Sequence, residues 1–180
     1  MNASFSDPRE NVLQMGVVEG MRVADLGAGA GHYARAAAGV VGHEGRVYAI
    51  DVQEDVLKHI KNNAHDTHKG IIETVWGDIE KLGGTHLRDA SIDLAILANT
   101  LFQVENREGL IAEIQRILKP GGTLAVIDWS GSFGGMGPSA ENIVSETDAE
   151  AIFTHAGFTK KKSFPAGPHH YGVIFSIQSA

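Results

Sequence analysis

The residues with the plainest chemical meaning are a set of glycines and carboxylates near the start of the chain. In Val23-Ala24-Asp25-Leu26-Gly27-Ala28-Gly29-Ala30-Gly31 an apolar run ends in a turn with glycines at 27, 29 and 31. Glycine admits positive φ and leaves no Cβ between main chain and ligand. The N–H groups of such a turn, and of the helix that follows, are expected to point at negative charge. Asp51 closes the next apolar run, Val47-Tyr48-Ala49-Ile50, 20 residues beyond Gly31. A carboxylate at the end of a second strand is placed to accept both hydroxyls of a ribose. Turn and acid in register predict an adenosine-containing cofactor lying across the ends of two adjacent strands. The competing reading is a packing turn, with Asp51 as an N-cap for the next helix. The G-x-G-x-G spacing does not by itself separate a nicotinamide cofactor from S-adenosylmethionine (SAM).

Further candidate groups fall at the ends of later apolar runs. Ile71-Ile72-Glu73-Thr74-Val75-Trp76 leads into Gly77-Asp78-Ile79, where the acid can accept from an adenine amino group and Ile79 can offer an apolar face. A second helix N-cap is the alternative. Ser91 to Ala98 ends at Asn99-Thr100-Leu101-Phe102-Gln103, and Thr123 to Ile127 ends at Asp128-Trp129-Ser130. His65 and His68 have helical spacing but no third ligand nearby, which reads as solvated surface rather than a metal site.

The elements that must position these groups alternate. Ser6 or Asp7 caps a first helix opening at Pro8, with Val12, Leu13, Met15, Gly16 and Val17 on its apolar face and Gly20 at its end. A small-residue helix follows the glycine turn, and Asp51 to Asn63 reads as an amphipathic helix. Glu105 to Leu118 forms another, stopped by Lys119-Pro120-Gly121-Gly122, and Ser145 caps a last helix that ends at Gly157. Strand–helix alternation specifies a parallel sheet covered on both faces. Phe158 to Phe164 and Tyr171 to Ile177 are joined too closely for a crossover, so they form an antiparallel hairpin. Gly131 to Ser139 reads as a glycine-rich loop, either a lid or a connector.

Composition narrows the partners. The chain has 180 residues, enough for one domain with a full core and short for two, so we expect a single domain over 1–180, with a helical segment at 1–20 and a core at 21–180. A net charge of −7 argues against long nucleic acid or an anionic membrane surface. No apolar run approaches a membrane span. There is no cysteine, which removes disulfides, zinc–thiolate sites and thiolate nucleophiles and fits a cytoplasmic location.

In the order of these motifs the chain resembles the class I SAM-dependent methyltransferases, over about Val12 to Ile177. The match rests on Asp25 to Gly31, Asp51, Gly77-Asp78-Ile79, the strand ending at Asn99, Ile117-Leu118-Lys119-Pro120-Gly121-Gly122-Thr123-Leu124, and the closing hairpin. It looks nearest to the branch holding the ubiquinone and menaquinone biosynthesis methyltransferases, with a shorter chain. The resemblance implies an α/β, doubly wound, mainly parallel seven-stranded sheet in the order 3-2-1-4-5-7-6. It implies a ribose role for Asp51, an adenine-edge role for Asp78 and Ile79, and methionine-moiety contacts from Asp25, Gly27, Gly29 and the main chain near Asn99. Ala28, Gly31, Val52, Gly77 and Thr100 complete the expected SAM-binding set, with S-adenosylhomocysteine (SAH) as product. The hairpin favours SAM over a nicotinamide dinucleotide.

Methyl transfer asks the protein chiefly to align donor and acceptor and to exclude water. His169, His170 and Asp128 are the candidate catalytic groups, either histidine having a pKa suited to a base near neutral pH. The acceptor pocket is expected between the loop around Phe133 and the turn carrying His169, His170 and Tyr171, with Phe102, Trp129 and Phe133 as apolar walls. Asn99-Thr100-Leu101-Phe102 lacks the Asn/Asp-Pro-Pro-aromatic pattern of amino-group methylases, and the lack of cysteine excludes cytosine C5 chemistry and thiolate capture of arsenic. A small-molecule acceptor and a monomer or homodimer are the remaining expectations. A non-catalytic SAM- or SAH-binding protein and an NAD-linked oxidoreductase are the alternatives.

Overall fold

The computed structural model describes residues 6–63, 70–132 and 137–177. His65, His68 and Phe133 lie outside them. Seven strands form one sheet in the order β3-β2-β1-β4-β5-β7-β6. They are β1 (Arg22–Leu26), β2 (Arg46–Asp51), β3 (Ile72–Trp76), β4 (Ile92–Ala98), β5 (Leu118–Trp129), β6 (Phe158–Gly167) and β7 (His170–Ile177). The first five run parallel, and β7 pairs antiparallel with both β5 and β6. This is the order and the hairpin that the resemblance implied.

Helices α1 (Pro8–Gln14), α2 (His32–Val41), α3 (Glu54–Asn62), α4 (Arg107–Ile117) and α5 (Glu146–His155) cover both faces. Alternation along each strand divides the core in two. Leu26, Ile50, Leu97 and Val126 face α4 and α5, while Val23, Ala49, Ile96 and Ile127 face α2 and its neighbours. The alanines of α2, with Ala34, Ala37 and Ala38 buried, let that helix lie close to the sheet.

Local chemistry sets the ends of the elements. Asp7 caps α1, its Oδ1 accepting the Arg9 N–H at 2.9 Å, and Pro8 opens the helix. α1 stops at Gln14 rather than running on to Gly20, because Gly16 adopts φ +81° and reverses the chain. Leu13, expected on the inward face, is exposed, whereas Val12, Met15 and Val17 are buried. α4 starts at Arg107, where the Asn106 side chain accepts the Gly109 N–H at 3.0 Å, so Glu105 lies before the helix. Lys119-Pro120-Gly121-Gly122 is not a free turn: β5 already begins at Leu118, paired with Ile92, and the register shifts before Thr123 pairs with Leu94.

Candidate functional site

The carboxyl ends of β1, β2 and β4 open onto a cavity of about 820 Å³. That is a volume suited to a cofactor together with a small second ligand. β1 feeds the glycine turn along its floor. Gly27 sits at φ +74°, and a Cβ there would come within 2.8 Å of Thr100 Oγ1, so residue 27 admits no side chain. Gly31, also at φ +74°, is the N-cap of α2, and a Cβ there would meet Ile60 at 2.7 Å.

Four N–H groups of this turn are already engaged. Gly27 and Ala28 both donate to the Ile50 carbonyl at 2.9 Å, and Gly31 donates to Ala28 at 2.8 Å. Gly29 donates to Asp51 Oδ2 at 3.0 Å. A dinucleotide pyrophosphate draws on such N–H groups, and these four are turned to Ile50, Ala28 and Asp51 instead.

At the lining and just behind it stand two buried polar oxygens with no partner. Asp25 Oδ2 and Asn99 Oδ1 are buried without a hydrogen-bond partner. Burial raises the Asp25 pKa to about 7; a hydrogen bond from the Ala34 backbone opposes that rise and the nearby Asp51 adds to it. Asn99 stands at φ +54°, a conformation that asparagine tolerates better than most residues, with its carbonyl accepting from Gln103 Nε2 at 3.4 Å. Asp51, Asp78 and Glu80 line the cavity, and among the described residues no Lys or Arg side chain does.

The two strand-end acids follow one design. Asp51 Oδ1 accepts the Gln53 N–H at 2.9 Å, and Asp78 Oδ1 accepts the Glu80 N–H at 3.0 Å. Asp78 is also paired with Lys81 at 2.8 Å, and that partner holds its pKa below the usual carboxylate range. Each acid therefore shapes the turn after its strand and still faces the cavity, so the capping and ligand readings are compatible. The actual N-cap of α3 is Gln53.

Of the remaining SAM-binding candidates, Gly27, Ala28, Gly29, Val52, Gly77, Ile79, Asn99 and Thr100 border the cavity. Asp25 and Gly31 lie behind its lining. The lining also includes Ser6, Tyr33, Gln103, Trp129 and His170. Ser6 and Tyr33 were not among the sequence candidates. Tyr33 OH is 3.0 Å from Ser6 Oγ and accepts from Asn11 Nδ2 at 3.0 Å, while Asn11 also donates to the Ala166 carbonyl at 3.0 Å. That cluster fixes the start of α1 at the cavity rim, and a Ser-Asp-Pro cap is its one sequence signal.

The three candidate catalytic groups separate. Trp129 and His170 are register partners across β5 and β7, with ring centroids 4.3 Å apart, and both line the cavity. His169 is half-buried outside the lining, its carbonyl accepting the Ser130 N–H at 2.9 Å. Asp128 is buried and does not border the cavity. It accepts the N–H groups of Trp129 at 2.8 Å and Phe102 at 3.3 Å, and burial raises its pKa to about 6 against these donors. Phe102 packs against the core, and Tyr171 donates to the Val144 carbonyl at 2.9 Å.

The comparisons agree with this geometry. A family profile described as "Methyltransferase domain" matches residues 24–126, more than half of the chain. The chain belongs to the class I SAM-dependent methyltransferase family. It is 34% identical over 122 residues to the ubiquinone/menaquinone biosynthesis C-methyltransferase UbiE of Hydrogenovibrio crunogenus, covering 68% of this chain and 47% of that protein. The chain thus spans about half the length of the curated relatives it matches. Among solved structures, a SAM-dependent methyltransferase from Aquifex aeolicus superposes with a TM-score of 0.86 at 30% identity, covering 96% of this chain and 90% of the other. A protein described as a type 11 methyltransferase from Sulfolobus solfataricus superposes with a TM-score of 0.77 at 25% identity, covering 98% and 95%. No helix among the described residues is long and apolar enough to cross a membrane, and no group of three or more His, Asp or Glu among them could hold a metal ion.

Proposed function

We propose that this methyltransferase carries the methyl group of SAM to a small, uncharged, partly aromatic or lipophilic acceptor. The observation that carries the cofactor reading is the pairing of occupied turn N–H groups with the unpartnered Asp25 and Asn99 oxygens. Such a site suits a ligand bearing sulfonium and ammonium groups and does not suit a pyrophosphate. Asp51 would take the ribose hydroxyls, and Asp78 and Ile79 the adenine edge. The methionine moiety would lie over Gly27 and Gly29, near Asn99, with Asp25 acting through its charge from below. Bound SAM would supply an electrophilic methyl carbon.

The chain's own part is to align the acceptor and keep water out. Trp129 and His170 offer an aromatic wall at the end of the cavity away from Asp78. The absence of Lys and Arg from the described lining favours an acceptor without carboxylate or phosphate groups. His170 is the group we assign to hold, or to take, a proton at the acceptor's nucleophilic atom. Asp128, bound by backbone donors, is a positioning residue in this scheme. We place the reaction in the cytoplasm, in keeping with a chain that has no cysteine.

The test is calorimetric titration with SAM, SAH and NAD, followed by an acceptor screen for SAH release. Binding of SAM and SAH with little or no binding of NAD is expected. Comparable NAD affinity without SAM binding overturns the cofactor reading. SAM binding without SAH release from any neutral acceptor overturns the catalytic one.

A further inference from the structure

Outside the cavity lining, α4 holds a charged group that the proposed methyl transfer does not use. Glu113 has no exposed surface. Its carboxylate accepts the Gly83 N–H at 2.6 Å, the Thr85 N–H at 3.0 Å and the Thr85 hydroxyl at 2.5 Å. Arg116 donates to it from Nε at 2.8 Å and from a terminal nitrogen at 2.7 Å. Burial alone would raise its pKa, but Arg116, Thr85 and the two N–H groups outweigh that and hold it at about 2. Arg116 in turn donates to the Leu87 carbonyl at 2.8 Å and pairs with Asp89 at 2.5 Å.

A buried carboxylate loses most of its solvation, and packing alone does not require one at this place. Apart from Arg116 on α4 itself, its partners Gly83 and Thr85 lie in the segment between β3 and β4. That segment closes on itself: Asp78 donates its N–H to the Gly84 carbonyl at 3.1 Å, and Gly84 donates to Lys81 at 2.8 Å. One backbone hydrogen bond therefore links Gly84, flanked by two residues bound to Glu113, to Asp78 at the cavity wall. α4 grips the same loop a second time at its own start. There the Glu80 carboxylate accepts the N–H groups of Glu105 and Asn106, and Asn106 Nδ2 donates to the Glu80 carbonyl at 3.0 Å.

We infer that Glu113 is a positioning residue for the cofactor, fixing the loop that presents Gly77, Asp78 and Ile79 to the adenine end of the cavity. The inference rests on the cofactor reading proposed above. Without the carboxylate the loop has no acceptor for the Gly83 and Thr85 donors, so Asp78 and Ile79 sample positions that do not meet the ring. Binding then weakens because the loop must be ordered at the moment of association.

The experiment is calorimetry with SAH and with adenosine alone on wild type, Glu113→Gln and Thr85→Val, with circular dichroism confirming that each variant is folded at the titration temperature. Thr85→Val removes the hydroxyl that donates to Glu113 and accepts from the Leu87 N–H and Arg116, each at 3.3 Å, and leaves the two Glu113–Arg116 hydrogen bonds in place. Replacing the charged acceptor is expected to raise the SAH dissociation constant about tenfold, and the Thr85 change about threefold. Adenosine affinity should fall by the same factors, which locates the loss at the adenine end. A purely structural role would lower the melting temperature and leave the affinity of the folded protein unchanged. Unchanged SAH affinity in the folded variants, or loss of SAH affinity with adenosine unaffected, overturns the inference. If Glu113→Gln does not fold, the Thr85→Val result decides alone. If wild type binds NAD and neither SAH nor adenosine, the cofactor reading fails first and the inference with it.

Discussion

Asp51 Oδ2 accepts the Gly29 N–H at 3.0 Å, so the acid that ends β2 braces the glycine turn that ends β1. The two parts of the sequence signature are bonded to each other before any ligand arrives. A ribose hydroxyl meeting Asp51 must share a carboxylate already serving Gly29 and Gln53. Asp51→Ala is therefore expected to weaken SAH binding by about one to two orders of magnitude, since a charged hydrogen bond contributes roughly 1.5–3 kcal/mol. It should also lower the melting temperature by several degrees. Calorimetry and thermal unfolding check the two parts. A lower melting temperature with unchanged affinity would make Asp51 a brace alone.

Asp25 predicts a pH dependence. Its native pKa of about 7 lies above the ordinary value of 3.8, so the folded protein keeps a proton that the unfolded chain has released. Stability from this group is present below about pH 4 and is lost as pH rises through 7. Asp25→Asn should flatten that slope and raise the melting temperature at about pH 8. A cationic ligand should favour the ionised form, so SAM binding near neutral pH should release up to about one proton, measurable by titration in buffers of different ionisation enthalpy. An equal slope in the variant would remove Asp25 as the source.

Asp128 has a different test. Its oxygens hold the 3-10 turn at Leu101–Gln103, which carries Gln103 to the cavity. Asp128→Asn turns an amide nitrogen toward backbone donors, and unfolding should become easier by about 1–3 kcal/mol. SAH affinity should fall by a few-fold, and the pH dependence of turnover should keep its shape. A lost acidic limb of the pH profile would restore Asp128 as a proton acceptor.

Trp129 and His170 should separate donor from acceptor. In a Trp76→Phe background, Trp129 fluorescence is expected to respond to a neutral acceptor added to the SAH complex. His170→Ala should reduce turnover by about two orders of magnitude where the acceptor must lose a proton. SAH affinity should stay within about twofold of wild type. Equal losses of SAH affinity and turnover would place His170 in the donor half.

The strand–helix alternation and the hairpin were legible from apolar runs, turn glycines and the short β6–β7 connection, whereas the strand order came from the family resemblance. Asp51, Asp78 and Asn99 were legible as strand ends. The hydrogen-bond state of the glycine turn was not, because it depends on Ile50 and Asp51 arriving from another strand. Asp128 and His169 sit near the site in sequence, yet one side chain turns toward backbone donors and the other stays outside the cavity lining. Spacing cannot report that direction. Glu113 looked like an ordinary polar residue of an amphipathic helix, since its partners are about 30 residues away, at Gly83 and Thr85. The early end of α1 turned on the left-handed conformation of Gly16.

Because β7 runs against its neighbours, it enters the sheet at the rim of the cavity, and His170 arrives there from the last part of the chain. The turns bearing Gly27, Asp51 and Asp78 belong to strands on the other flank. The hairpin's share of the cavity wall is thus encoded apart from the turns at Gly27, Asp51 and Asp78. Mutations accumulating in the C-terminal hairpin can reshape one wall while selection on the other stretch stays unchanged. A lineage built on this sheet can change what it modifies without relearning how to hold its donor.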